Sequence, residues 1–135
     1  MKAVVIYDSK AGNTRRVVKR FGLPYFHVSE FPDLSDSDVV VFFCPTYGDE
    51  ELPEEMEDYI VSLDVRDKKF VVCELGNYYG YDDLEFGALK IIKHSLLNLG
   101  WEEFGCSLSL DSLPKINWLA FDAWSHQTKK LLSQS

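Results

Sequence analysis

Ser9-Lys10-Ala11-Gly12-Asn13-Thr14 lies between an apolar run, Ala3 to Tyr7, and a helical pattern that opens at Asn13 or Thr14. Apolar strand, small-residue turn and helix, in that order, aim backbone N–H groups at an anion. The first helical turn leaves its N–H groups without intrahelical partners, and the positive end of the helix dipole adds to their pull on a phosphate. Ser9, Asn13 and Thr14 add side-chain donors at the same place. The loop has neither the Gly-Lys-Ser/Thr ending of a P-loop nor the three spaced glycines of a dinucleotide fold. Taken alone, it also reads as an ordinary helix cap. Its meaning rests on what the rest of the chain brings beside it.

Working outward, Lys2 to Tyr7 is almost continuously apolar and β-branched, the pattern of a buried strand. The helix after the loop turns Val17, Val18 and Phe21 inward and Arg15, Arg16, Lys19 and Arg20 outward, and stops at Gly22 with Pro24 just beyond. Pro24 to Val28 is a shorter strand suited to a sheet edge. Ser29 to Ser37 is too short and too rich in Asp, Ser and Pro for a crossover helix. Extended, its nine residues reach ~30 Å, enough to step across one strand (~10 Å) and return along it (~17 Å). Phe31 and Leu34 are expected to cover the central strand on the way.

Asp38 to Cys44 is the most apolar strand and calls for burial on both faces. A loop, Pro45 to Leu52, precedes a helix from Pro53 to about Leu63 with Leu52, Met56, Tyr59 or Ile60, and Leu63 inside. Lys69 to Leu75 is a fourth strand, and Gly76 to Asp83 a loop rich in glycine and tyrosine. Leu84 to Leu99 is an amphipathic helix with Ala88, Leu89, Ile92, Leu96 and Leu99 on one face, stopped by Gly100. Phe104 to Leu110 alternates as a fifth strand. A last helix is traced by Ile116, Leu119, Ala120, Ala123, Trp124 and Leu131. Alternating strands and helices predict a single α/β domain over residues 1–135, a doubly wound five-stranded parallel sheet of order 2-1-3-4-5 with helices on both faces. Ligands bind such sheets beyond the carboxyl ends of the strands, where the order reverses. The loops Asp8–Asn13, Pro45–Leu52 and Gly76–Asp83 are all placed there.

Composition sets outer limits. With 46% hydrophobic and 27% charged residues the chain reads as a globular protein. No apolar run approaches the ~20 residues that span a bilayer, and Asp8 follows the first residues too soon for a signal peptide. A cytoplasmic location without membrane contact is expected. The net charge of −8 disfavours nucleic acid and suits a basic protein partner. Cys44, Cys73 and Cys106 lie in or beside apolar runs without metal-ligand spacing, so buried free thiols and no metal are expected.

The second and third loops carry Tyr47, and Tyr78, Tyr79 and Tyr81. With the phosphate cradle they fit a flat, phosphate-bearing ligand held between rings. Here the residues resemble a known family. Ser9-Lys10-Ala11-Gly12-Asn13-Thr14 resembles the flavodoxin phosphate loop, Thr46-Tyr47-Gly48-Asp49 its second loop, and Gly76-Asn77-Tyr78-Tyr79-Gly80-Tyr81 its third. Ala88 and Asn98-Leu99-Gly100 extend the similarity, which spans nearly the whole chain and is that of a short-chain member.

The resemblance implies non-covalent FMN and electron transfer between redox proteins, without a catalysed reaction. Ser9 to Thr14 would hold the phosphate. Pro45, Thr46, Tyr47, Gly48, Asp49, Gly76, Asn77, Tyr79, Gly80 and Tyr81 would surround the ring, with Tyr47 and Tyr81 flanking it. The peptide after Gly48 would face N5 and stabilise the one-electron-reduced flavin by flipping, at low cost for glycine. Seven acids between Asp49 and Asp58 (Asp49, Glu50, Glu51, Glu54, Glu55, Glu57 and Asp58) would form an acidic rim for a reductase and an acceptor enzyme, and would disfavour the anionic reduced flavin. A monomer is expected.

The chain departs from the family in Lys10, which places a cation near the phosphate, and in Ala11, which replaces the usual hydroxyl residue. The short second connection and Gly22-Leu23-Pro24 resemble instead the flavodoxin-like activator of class Ib manganese ribonucleotide reductase, an alternative function. An FMN-dependent NAD(P)H or quinone reductase is a further alternative, and it lacks a second set of basic residues for a pyridine nucleotide. A phospho-receiver shares the fold, but the third strand ends in Cys44-Pro45 where it needs an acceptor Asp.

Overall fold

The computed structural model describes residues 1–9, 12–46, 52–76, 87–112 and 115–134. Its sheet is parallel throughout. β1 (Ala3–Tyr7) lies between β2 (Tyr25–His27) and β3 (Val39–Pro45), and β4 (Lys69–Gly76) pairs the far side of β3. Two short pieces, β5 (Glu102–Glu103) and β6 (Leu108–Asp111), both pair β4. The predicted order 2-1-3-4-5 is the observed one.

Alternation along these strands divides the core into two layers. Val4, Ile6, Val40, Phe42, Cys44, Phe70 and Val72 pack with Met56 and Ile60 of α2 (Glu54–Ser62) and Ala88, Ile92 and Leu96 of α3 (Gly87–Asn98). Val5, Tyr7, Val41, Phe43, Val71 and Cys73 pack on the opposite face with Val17, Val18 and Phe21 of α1 (Asn13–Phe21) and Phe121 and Trp124 of α4 (Trp118–Ser133). Central strands apolar on both faces are what a sheet covered by helices on each side demands. Arg20 ties α1 to α4 by two 2.7 Å bonds to Asp122, with its guanidinium 5.0 Å from the Trp118 ring centre.

Four expectations change. The fifth strand is not continuous over 104–110. Glu102 and Glu103 pair Lys69 and Phe70, the chain turns through Gly105 (φ 69°), and pairing resumes at Leu108 opposite Cys73. In the gap Ser107 Oγ accepts the Val72 N–H at 3.0 Å and donates to Glu103 at 2.7 Å, so a side chain stands in for one ladder carbonyl. Cys106 sits in this interruption, off the alternation, and is exposed, whereas Cys44 and Cys73 are buried. Leu34 covers the core at 2% exposure, but Phe31 is 60% exposed. It caps a 3₁₀ turn, Val28–Glu30, with φ 43°, which swings its ring outward to meet Tyr59 edge-on. Tyr59 pins the same connection by donating to Pro32 O at 3.0 Å. Leu119 is 84% exposed, because the inner face of α4 is Phe121, Trp124, Ser125, Thr128 and Leu132. The predicted third helix is described from Gly87; residues 84–86 lie outside the described set.

Candidate functional site

The carboxyl ends of the central strands lie side by side. Tyr7 pairs Phe43, Pro45 pairs Leu75, and Gly76 pairs Asp111. From β1 the chain turns to α1 on one face of the sheet, and from β3 to α2 on the other. That divergence opens a crevice above the ends of β1 and β3.

The first loop rises into this crevice. Ser9 Oγ accepts N–H groups from Gly12 at 3.2 Å and Arg15 at 3.4 Å, which folds the loop over the helix start. Gly12 holds φ 88°, and among the described residues a Cβ built there meets nothing within 4 Å. Gly12, at the cap of α1, has no side chain, the first turn carries no acid, and of its first three N–H groups only that of Arg15 is taken by a side chain, Ser9 Oγ, among the described residues. The N–H groups of Asn13 and Thr14 therefore remain for a ligand among the described residues. The Thr14 side chain is buried and Asn13 is half-buried. This donor set suits a phosphate ester.

Behind the loop sits Asp8, 1% exposed, with Oδ1 at 3.5 Å from His27 Nε2. The His27 ring stands edge-on to Tyr7. Burial first, then the charges of Asp8 and Glu74, push the Cys44 thiol well above its ordinary range, so Cys44 is no nucleophile.

The ends of β3 and β4 share a second feature. Glu74 is fully buried, with Oε2 accepting from Thr46 Oγ1 at 2.6 Å and from the Leu89 N–H at 2.8 Å. Its Oε1 accepts from Ser109 Oγ at 2.9 Å, and Thr46 Oγ1 in turn accepts the Ala88 N–H at 3.1 Å. The start of α3 thus rests on Thr46 and Glu74. Gly87 makes that approach possible: a Cβ there would fall 2.3 Å from Thr46 Cγ2.

Of the sequence-predicted site residues, Ser9, Gly12, Asn13 and Thr14 are together at the start of α1, with Pro45, Thr46 and Gly76 on the neighbouring strand ends. Lys10, Ala11, Tyr47, Gly48, Asp49, Asn77, Tyr79, Gly80 and Tyr81 lie outside the described residues. Glu54, Glu55, Glu57 and Asp58 form an exposed acidic start to α2. Sequence reasoning missed Glu74, although one acid inside Phe70-Val71-Val72-Cys73-Glu74-Leu75 was a visible signal. Away from this end, a groove of about 510 Å³ is lined by Met1, Ser37, Asp38, Asp67, Lys68 and Lys69. Lys68 there is already spent on Ser37 O at 2.6 Å. Among the described residues no cluster of His, Cys, Asp and Glu is arranged for a metal.

Known proteins resemble this arrangement across its length. The chain is 26% identical to the flavodoxin of Maridesulfovibrio salexigens over a 130-residue alignment covering 84% of this chain and 88% of that protein. The structure of oxidised flavodoxin 1 from Bacillus cereus superposes with a TM-score of 0.79 at 18% identity, covering 100% of this chain and 99% of that one. The fold is flavodoxin-like. Fusobacterium nucleatum flavodoxin, solved bound to flavin mononucleotide, superposes at 0.72 with 15% identity over 96% of this chain and 98% of that one. No protein-family model matches the chain. In this flavodoxin-like frame, no described helix is long and apolar enough to cross a membrane.

Proposed function

We propose that this chain is a cytoplasmic, monomeric electron carrier that binds FMN non-covalently in the crevice above β1 and β3. The observation that carries the reading is the acid-free start of α1, where the Asn13 and Thr14 N–H groups have no bond and the space above Gly12 is open among the described residues. A phosphate monoester there meets aligned amides and a favourable dipole. Residues 9–14 would hold that phosphate, and Tyr47, Gly48 and Tyr81 would contact the ring. The flavodoxin relative and the FMN-bound fold relative support the choice of ligand. Bound FMN supplies one-electron redox chemistry. The chain's part is to bind and orient the ring, exclude water from it, and offer the acids of α2 to basic redox proteins.

Titration of the purified apoprotein with FMN, read by loss of flavin fluorescence, tests the site. A stoichiometric complex is expected, and Tyr81→Ala should weaken it, because aromatic contacts add ~0.5–1.5 kcal/mol beyond area burial. A chain that leaves FMN free would sink the assignment. Steady oxidation of NAD(P)H by the isolated holoprotein would replace the carrier reading with a reductase.

A further inference from the structure

We infer that Glu74 is a positioning residue of the FMN site: it holds Thr46, where the second loop leaves the sheet, against the start of α3, where the third loop rejoins it, and keeps a negative charge at that junction. This rests on the FMN reading above. Two points where those loops join the scaffold are bonded to its carboxyl group, and a third lies next to it along the same strand. Thr46, the last described residue before Tyr47, donates to Oε2. Gly76, where the third loop begins, follows Glu74 by two residues along β4. Leu89, in the first turn of the helix that ends the third loop, donates its N–H to the same oxygen.

The hydrogen-bond directions are consistent with a charged carboxylate. Leu89 N–H can only donate. Thr46 Oγ1 receives the Ala88 N–H, which leaves its own proton for Glu74. Ser109 Oγ donates to the other oxygen from β6. A buried carboxylate facing a helix start is favoured by the dipole as well as by these bonds. One side chain therefore joins β3, β4, β6 and α3. Moving it would shift Thr46 relative to the start of α3, and its charge would oppose electron density added to a ring held near that junction.

Two variants separate position from charge. Glu74→Gln preserves length and can keep Oε1 facing Leu89, since the Ser109 hydroxyl rotates to accept from the amide. Glu74→Asp keeps the charge and loses one methylene of reach. The dissociation constant for oxidised FMN and both midpoint potentials are measured for each. E74Q should raise the potentials while largely keeping FMN affinity. E74D should keep potentials near wild type and weaken FMN roughly tenfold, the equivalent of one hydrogen bond to a charged group. E74Q with wild-type potentials, or E74D with wild-type affinity, overturns the assignment. If E74D does not fold, Ser109→Ala takes its place, and unchanged FMN affinity there overturns it equally. Wild-type protein that binds no FMN fails the cofactor reading itself, and is told apart by the control titration.

Discussion

Replacing Gly87 with Ala tests whether α3 is seated on Thr46 as closely as described. The added Cβ would lie 2.3 Å from Thr46 Cγ2, 2.8 Å from Oγ1 and 3.1 Å from Cβ. Thr46 cannot simply rotate away, because Oγ1 holds Glu74 and the Ala88 N–H. Gly87 also has φ 46°, where a residue with a Cβ is strained by ~1–2 kcal/mol. Overpacking a fixed neighbour adds ~1–3 kcal/mol. Gly87→Ala should therefore destabilise the fold by about 2–5 kcal/mol, on the order of 10 °C in Tm for a chain of this size. Urea unfolding gives the value, provided the slope m stays at its wild-type value. Thr46→Ala in the same chain should relieve the clash but not the backbone strain, giving a favourable coupling of ~1–3 kcal/mol in a double-mutant cycle. Gly87→Ala within ~0.5 kcal/mol of wild type, near the spread of ordinary surface substitutions, or a cycle without coupling, would refute the close seating.

Ser107→Ala should cost ~1–3 kcal/mol in urea unfolding, because the buried Val72 N–H loses its acceptor. An alanine variant as stable as wild type would mean the ladder closes without that hydroxyl. A thiol reagent at mildly alkaline pH should label Cys106 in the native protein and leave Cys44 and Cys73 untouched until unfolding, since burial holds both buried thiols well above their ordinary range. Rapid native labelling at Cys44 or Cys73 would contradict their burial. Burial, then Asp33, push the Tyr59 phenol up from 10.0 to about 12. Its folded value is raised, so its contribution is complete below pH 10.0 and is lost as pH rises toward about 12. The stability difference between wild type and Tyr59→Phe should shrink across that window, and a difference independent of pH would contradict the shift.

The central sheet was legible because its strands are apolar on both faces, which leaves little choice of role for Val39 to Phe43. The phosphate loop was legible as a position, not as a ligand. Ser9 to Thr14 reads as a cap until the neighbouring strand ends are known, and among the described residues Ser9 Oγ takes the Gly12 and Arg15 N–H groups and leaves those of Asn13 and Thr14. What escaped was tertiary in origin. Alternation from Phe104 to Leu110 looks like a strand, and only the pairing partner reveals that Ser107 replaces a ladder bond. Leu119 fits a helical apolar pattern but falls outside the face defined by Phe121 and Trp124. Glu74 is polar by composition and buried by its neighbours, whose donors come from residues 28 positions upstream and 15 and 35 positions downstream.

The interruption between β5 and β6 bears on how the protein behaves in crowded solution. An unbroken outer strand offers a continuous row of free N–H and C=O groups to any passing chain, the usual starting point of edge-to-edge aggregation. Here that row is cut at Phe104 to Ser107, and the first piece carries Glu102 and Glu103. At the opposite border, β2 is only three residues long and follows Pro24. Neither border presents a long flat template. The kink that spoils the last strand as a regular element thus works as a guard against strand addition, and straightening it by filling the gap with β-branched residues should lower solubility before it lowers stability.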